Sequence, residues 1–201
     1  TWYKEIVNYL SNHNMADQKN YEYIKTKIDI DSIIDFWIAE TYTTNNDIVN
    51  ARFYSHPDIN AGKMRAIFYD LDWAMFNVTK NYYIFSTSIT PMSRLQIPTT
   101  VLRNLMKNNE FKKRYVERLS YNLNNIWTYE KLSKKLEELY QIYKKEMPRN
   151  CERWNITMEN WEDNVNRLRN YIKKRTPIML NQTKSFFGLS ESEMKKYFGD
   201  L

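Results

Sequence analysis

The sequence predicts a mainly helical single domain that carries one small antiparallel β-hairpin. Three observations lead there. Apolar residues recur at helical spacing over most of the chain after Thr100. Two short β-prone runs flank a turn-forming segment between Arg52 and Tyr69. No internal repeat or low-complexity linker divides the 201 residues, which are enough for a core of their own.

In chain order, residues 2–10 and 15–28 carry apolar side chains at helical spacing, among them Trp2, Ile6, Val7 and Leu10, then Tyr21, Ile24 and Ile28. Asp31 suits the N-cap of a helix through Ile33, Ile34, Trp37 and Ile38. Arg52–Ser55 and Met64–Tyr69 read as the hairpin arms, with Pro57, Asn60 and Gly62 supplying the turn. Residues 77–98, with Pro91 and Pro98, read as a long irregular loop. Leu102 and Leu105 mark a short helix. Phe111, Tyr115, Leu119 and Leu123, then Leu132, Leu136, Leu139 and Tyr143, form two stripes expected to face a core. Met147 and Pro148 break the pattern. Thr157 suits the cap of a last long helix with Trp161, Val165, Leu168 and Ile172. Gly188 suits a C-cap, and Ser190 and Glu193 have capping-box spacing.

Composition excludes several classes. With 42% hydrophobic and 27% charged residues the chain is globular rather than disordered. No apolar run is long enough to span a bilayer. The single Cys151 excludes an internal disulfide, and His13 and His56 lie in unrelated contexts, which argues against zinc. The net charge of +6 is spread along helices in mixed company, a pattern of solvated faces; no nucleic-acid motif accompanies it.

The stretch richest in chemistry is FYDLDWAMF, residues 68–76. Asp70 and Asp72 stand in an apolar, aromatic run expected to be buried, where a carboxylate needs a partner. A hard cation such as Mg²⁺ or Mn²⁺ is one. The alternative is a turn in which Asp70 caps the backbone and Asp72 points to water. Upstream, Asp47 sits in TTNNDIVN, a polar stretch that also holds Asn45, Asn46 and Asn50. A polar loop with Asp and Asn, then a hairpin, then Asp is the order in which protein-kinase-type phosphotransferases place their catalytic and metal-binding groups.

The strings DIDSIIDFWIAETYTTNNDIVNARFY and GKMRAIFYDLDWAMF resemble the spore-coat protein H (CotH) kinase family, and NEFKKRYVERLSYNL, ERW and the Trp-bearing helix ending in IKKR are similar to its helical tail. The resemblance implies the large, C-terminal lobe of an atypical protein-kinase-like fold, ATP with Mg²⁺ or Mn²⁺, a protein substrate, and a place outside the cytoplasm on a spore coat or cell surface. It implies Asp47 as the catalytic or acceptor-orienting carboxylate, Asn50 as a cofactor- or metal-binding amide, Asp70 as the main metal ligand, and Asp72 as a second ligand or a positioner of Asp70. Arg153 and Trp154 resemble a family pair expected to pack and to form an internal ion pair.

The chain has only three glycines, so no Gly-rich loop covers phosphates, and no strand lysine paired with a helix glutamate can be assigned before Asp47. The expectation is therefore a C-lobe-like portion of a kinase domain whose nucleotide-clamping lobe lies outside residues 1–201, with little activity by itself. Two other classes stand beside it: a non-catalytic, pseudokinase-like scaffold, and a basic module binding an anionic polymer.

Overall fold

The computed structural model describes residues 2–89, 93–199 and 201. Helices α1 (Trp2–Asn12) and α2 (Gln18–Lys25) lead into α3 (Ile30–Thr43), whose buried face extends almost all round. Its N-cap is Asp29, not Asp31: Asp29 accepts the Ser32 N–H at 3.2 Å and the Arg65 guanidinium at 2.7 Å. Both aspartates suit the first turn. Asp29 wins because its second oxygen meets Arg65, whereas Asp31 faces outward and pairs with Arg114 and Arg118. Arg118 also pairs with Asp35, so α3 is tied along its outer side to α6 (Asn109–Tyr121).

The hairpin forms where the turn residues place it. Strand β1 (Arg52–Tyr54) pairs antiparallel with β2 (Arg65–Ile67), Phe53 facing Ala66 in register. Met64, just before β2, exchanges backbone hydrogen bonds with Lys27 and Asp29, which fastens the hairpin to the entry of α3. Phe53 stacks on Tyr3 and meets Phe36 edge-on. One apolar contact on each side thus sets the sheet against α1 and α3.

The expected loop at 77–98 is corrected. Helix α4 (Tyr82–Thr87) lies within it, and α5 runs Ser93–Leu105, through Pro98 and longer than the short helix expected at Leu102. Helix α4 forms because Asn81 caps it and because Tyr82, Tyr83 and Ser86 are buried, packing that a spacing argument does not see in six residues. Pro91 lies outside the described residues.

After α6 and a π-type turn at Asn122–Ile126 come α7 (Tyr129–Tyr143), α8 (Met147–Trp154), α9 (Met158–Phe187) and α10 (Glu191–Phe198). The α6 stripe is core as expected. The α7 stripe is not: Leu139 and Tyr143 are exposed and α7 buries no side chain fully. It packs chiefly on α9, by Tyr140 stacked on Trp161 and by the Glu137–Arg169 pair, so half of its apolar stripe has no second neighbour. The pattern break at Met147 holds, with Pro148 in the first turn of α8, where a missing N–H costs nothing. Arg153 and Trp154 are corrected as well: the indole is exposed, the guanidinium lies over it, and among the described residues no ion pair joins Arg153. Thr157, Gly188 and the Ser190–Glu193 capping box act as expected. No helix among the described residues is long and apolar enough to cross a membrane.

Candidate functional site

The site begins where α3 ends. Thr44 closes the helix in the left-handed region (φ 51°), fully buried, its hydroxyl donating to the Asn77 carbonyl at 3.1 Å and meeting the Tyr171 hydroxyl. Asn45, also buried, accepts the Asp47 N–H on Oδ1 at 3.0 Å. The side chain that makes the turn is therefore Asn45, which leaves the Asp47 carboxylate free of the Asx-turn role open to it. Asp47 opens a short 3₁₀ turn, Ile48–Asn50, that delivers the chain into β1.

At the other end of the hairpin β2 stops at Ile67, and Asp70 adopts φ 61°. An aspartate tolerates this left-handed conformation better than most side chains, at a cost of about 1 kcal/mol. The turn aims its carboxylate back across the sheet. The Asn50 side-chain amide nitrogen then donates to Asp47 Oδ2 at 2.9 Å and to Asp70 Oδ2 at 2.8 Å. One nitrogen bonded to both oxygens holds them within about 6 Å of each other, twice a hydrogen-bond length. Three of the four residues that the resemblance singles out, drawn from both ends of the hairpin, thus meet.

Asp72 does not join them. It is exposed in the following turn and shares no hydrogen bond with the cluster. The expected burial of residues 68–76 is also overturned: Trp73 is 61%, Phe76 50% and Phe68 47% exposed. The sheet has two strands and β2 ends at Ile67, so residues 68–76 follow it outside the paired strands. What gives Asp70 its partner is the Asn50 amide, not an apolar surround.

The residues around the cluster are tightly sutured. The Trp73 carbonyl accepts from the Asn46 backbone and side chain at 3.2 and 3.3 Å, and the Met75 N–H donates to the Thr43 carbonyl at 2.7 Å. Lys80 donates to Asn46 Oδ1 at 2.7 Å while its ammonium lies 3.9 Å from the Phe85 ring centre. Partial burial pulls the Lys80 pKa below its ordinary value.

Two charged side chains central to this region carry no mark in a motif. Arg175 of α9 is fully buried. Its guanidinium donates to the carbonyls of Tyr42 (2.9 Å), Thr41 (2.6 Å) and Val78 (2.8 Å), closing the orphan acceptors at the end of α3 and tying them to the segment that leads to Lys80. The IKKR run reads as solvated charge, yet Arg175 falls on the same helical face as Leu168, Ile172 and Met179, a spacing that marks it as inward. Glu40 is 1% exposed on α3, and burial raises its pKa from 4.5 to about 7, against the smaller lowering effects of Asn45 and Tyr82. Its place among Phe36, Trp37, Ile38, Ala39 and Tyr42 is the signal that was available.

Two carboxylates and a carboxamide suit a small hard cation that keeps part of its water and takes further oxygens from phosphates. No group of three or more His, Cys, Asp or Glu among the described residues offers a fuller cage. The amide N–H groups between the two aspartates also show that this position favours positive charge, since they offset the repulsion of two carboxylates in close approach.

Neither a search of curated proteins nor one of solved structures finds a match to this chain. The sequence model of the family described as CotH kinase protein matches residues 1–179, most of the chain's length, and includes Asp47, Asn50, Asp70, Asp72 and Arg175. The chain belongs to the CotH kinase family.

Proposed function

We propose that this chain supplies the metal- and acceptor-facing side of a protein kinase that transfers phosphate from ATP to a protein hydroxyl. The observation that carries the reading is the Asn50 amide shared by the Asp47 and Asp70 carboxylates. Phosphoryl transfer asks a protein mainly for alignment and for neutralisation of charge. Asp70 and the Asn50 side chain, whose oxygen faces a cation once the amide turns, would hold Mg²⁺ or Mn²⁺. When bound, the ion offsets the negative charge of the transferring phosphoryl group. Asp47, half-buried and fixed by the Asn45 turn, accepts the hydrogen bond of the acceptor hydroxyl and orients it. Asp72, exposed and outside the Asn50 hydrogen bonds, is assigned an outer supporting role rather than direct ligation.

Three glycines in the chain leave no loop to cover the nucleotide phosphates. That part of the reaction is assigned to a second lobe outside residues 1–201. In this reading the acceptor is a protein of a spore coat or cell surface, in keeping with the family match.

The test is Asp47→Ala in the full-length chain. Transfer from ATP to protein should fall by roughly 10²-fold or more. Stability should change by roughly 1 kcal/mol or less, since little apolar area is removed. A variant as active as its parent overturns the assignment.

A further inference from the structure

We propose that Arg52 is a phosphate-binding residue of the site, its Nε–Nη2 edge clasping a phosphate group brought to the Asp47–Asn50–Asp70 cluster. Strand β1 sets the direction of the side chain, since neighbours along a strand point to opposite faces. Phe53 turns inward onto Tyr3 and Phe36, so Arg52 leaves on the other, exposed face. There its Nη1 donates to the Asn50 carbonyl at 3.0 Å and to the Ala51 carbonyl at 3.2 Å. The guanidinium carbon lies 6.0 Å from the centre of the Tyr69 ring. The head group is thus tied to the residue whose amide bridges the two aspartates. By standard bond lengths the Asn50 carbonyl oxygen and side-chain nitrogen are at most about 5.5 Å apart, which puts Arg52 Nη1 within about 11 Å of both carboxylate oxygens. A di- or triphosphate spans that separation.

What singles Arg52 out is the edge it leaves open. Three other arginines of the chain use the Nε–Nη2 edge to clasp a carboxylate. Arg114 holds Asp31 at 2.9 and 2.8 Å, Arg169 holds Glu137 at 2.6 and 2.9 Å, and Arg118 holds Asp35 in the same way. Arg52 instead has Nη1 on main-chain carbonyls, and among the described residues no acceptor meets its Nε or Nη2 and no carboxylate pairs with it. Two parallel N–H donors on a fixed, exposed guanidinium match two oxygens of a phosphate. The nearby Asp47 and Asp70 repel an anion unless a cation neutralises them, so the phosphate should bind with a divalent metal present. The group is a phosphate of the nucleotide or the phosphoryl group already on the acceptor; the recognition chemistry is the same. The assignment rests on the phosphotransfer reading of the cluster and adds a residue and a ligand group to it.

Calorimetry on the full-length chain tests this with three probes in the presence of Mn²⁺: ADP, adenosine and a serine-phosphorylated peptide. Arg52→Gln should weaken ADP, the phosphopeptide or both by roughly tenfold, the loss of one charged bidentate contact. Adenosine, and Mn²⁺ titrated alone, should bind as they do to the parent. Arg52→Lys keeps the charge without the fork and should fall between the parent and Arg52→Gln. Weakening of ADP alone assigns the group to the nucleotide, and weakening of the phosphopeptide alone assigns it to the acceptor. A parent that binds neither phosphate probe overturns the proposal, as does an Arg52→Gln protein that binds both as tightly as the parent. So does an equal loss of Mn²⁺ binding by itself, which would show that Arg52 only shapes the Asn50 turn. Arg153→Gln removes an exposed charge from α8 instead; an equal loss there would reduce the effect to net charge and overturn the proposal too. Arg52-dependent phosphate binding without transfer from ATP to protein would keep the phosphate site and defeat the kinase reading. Transfer and phosphate binding both untouched by Arg52→Gln would defeat the role of Arg52 and leave the kinase reading standing.

Discussion

Replacing Arg175 tests how the site is held. Its guanidinium closes three main-chain carbonyls, of Thr41, Tyr42 and Val78, at 2.6 to 2.9 Å, with weaker bonds to the Lys80 carbonyl and Gln182. Arg175→Met keeps much of the volume and removes every donor. Each buried acceptor left without a partner costs about 1–3 kcal/mol. The desolvation of a charge already disfavoured by burial is recovered in part. The balance is a loss of about 3–5 kcal/mol, a large share of the roughly 5–15 kcal/mol that holds a domain of this kind together. Arg175→Lys should lose about half as much, because one ammonium reaches one or two of the three carbonyls. Urea unfolding followed by tryptophan fluorescence measures this, with Trp37 buried in the same core. A loss below about 1 kcal/mol for Arg175→Met would show that the carbonyls find water or other donors, and that α9 does not fasten the end of α3.

Three further outcomes follow from the site. Glu40 has a higher pKa folded, about 7, than its ordinary 4.5, so the parent should lose stability as pH rises between those values, by on the order of 3 kcal/mol, and stay level above them. Glu40→Gln should lack that loss, and urea midpoints at pH 5 and 8 that shift in parallel for both proteins would contradict it. Asp70→Asn should weaken Mn²⁺ binding, read by calorimetry, far more than Asp72→Asn, since only Asp70 reaches Asn50; equal effects would place the ion elsewhere. Asn50→Asp replaces the bridging donor with a third carboxylate. It should cost roughly 1–2 kcal/mol without metal, and Mn²⁺ should raise its melting temperature more than the parent's; a variant indifferent to Mn²⁺ would show that the two aspartates do not share a cation.

Much of the fold was legible because it depends on local chemistry. Pro57, Asn60 and Gly62 place the hairpin turn, Thr157 and Ser190 start helices, and Gly188 ends one. The meeting of Asp47 and Asp70 follows from a hairpin returning on itself. What was not legible depends on neighbours distant in sequence. The choice of Asp29 over Asp31 is decided by Arg65, the burial of α4 by α9, and the exposure of half the α7 stripe by the lack of a second packing partner. The burial expected for residues 68–76 failed for the same reason. Aromatic content is a property of the run, whereas burial is a property of what covers it.

The local geometry of the site explains why a remote helix belongs to it. Thr44, Asp70 and Met75 all take positive φ, half of the non-glycine residues that do so among those described, and all three lie where the end of α3 meets the 70–75 segment. Each costs about 1 kcal/mol or more. Such a cluster persists only if its surroundings fix it. Hydrogen bonds from Met75 to Thr43, from Asn46 to Trp73 and from Thr44 to Asn77 join the strained segments to the end of α3, which must itself be held. That anchorage comes from α9, through Tyr171 on the Tyr42 carbonyl and Arg175 on Thr41, Tyr42 and Val78. The α9 helix therefore does for Asp47 what the hairpin does for Asp70: it sets the direction from which the carboxylate arrives at Asn50. The two supports share few residues, so a change in either should misalign one aspartate while leaving the other in place.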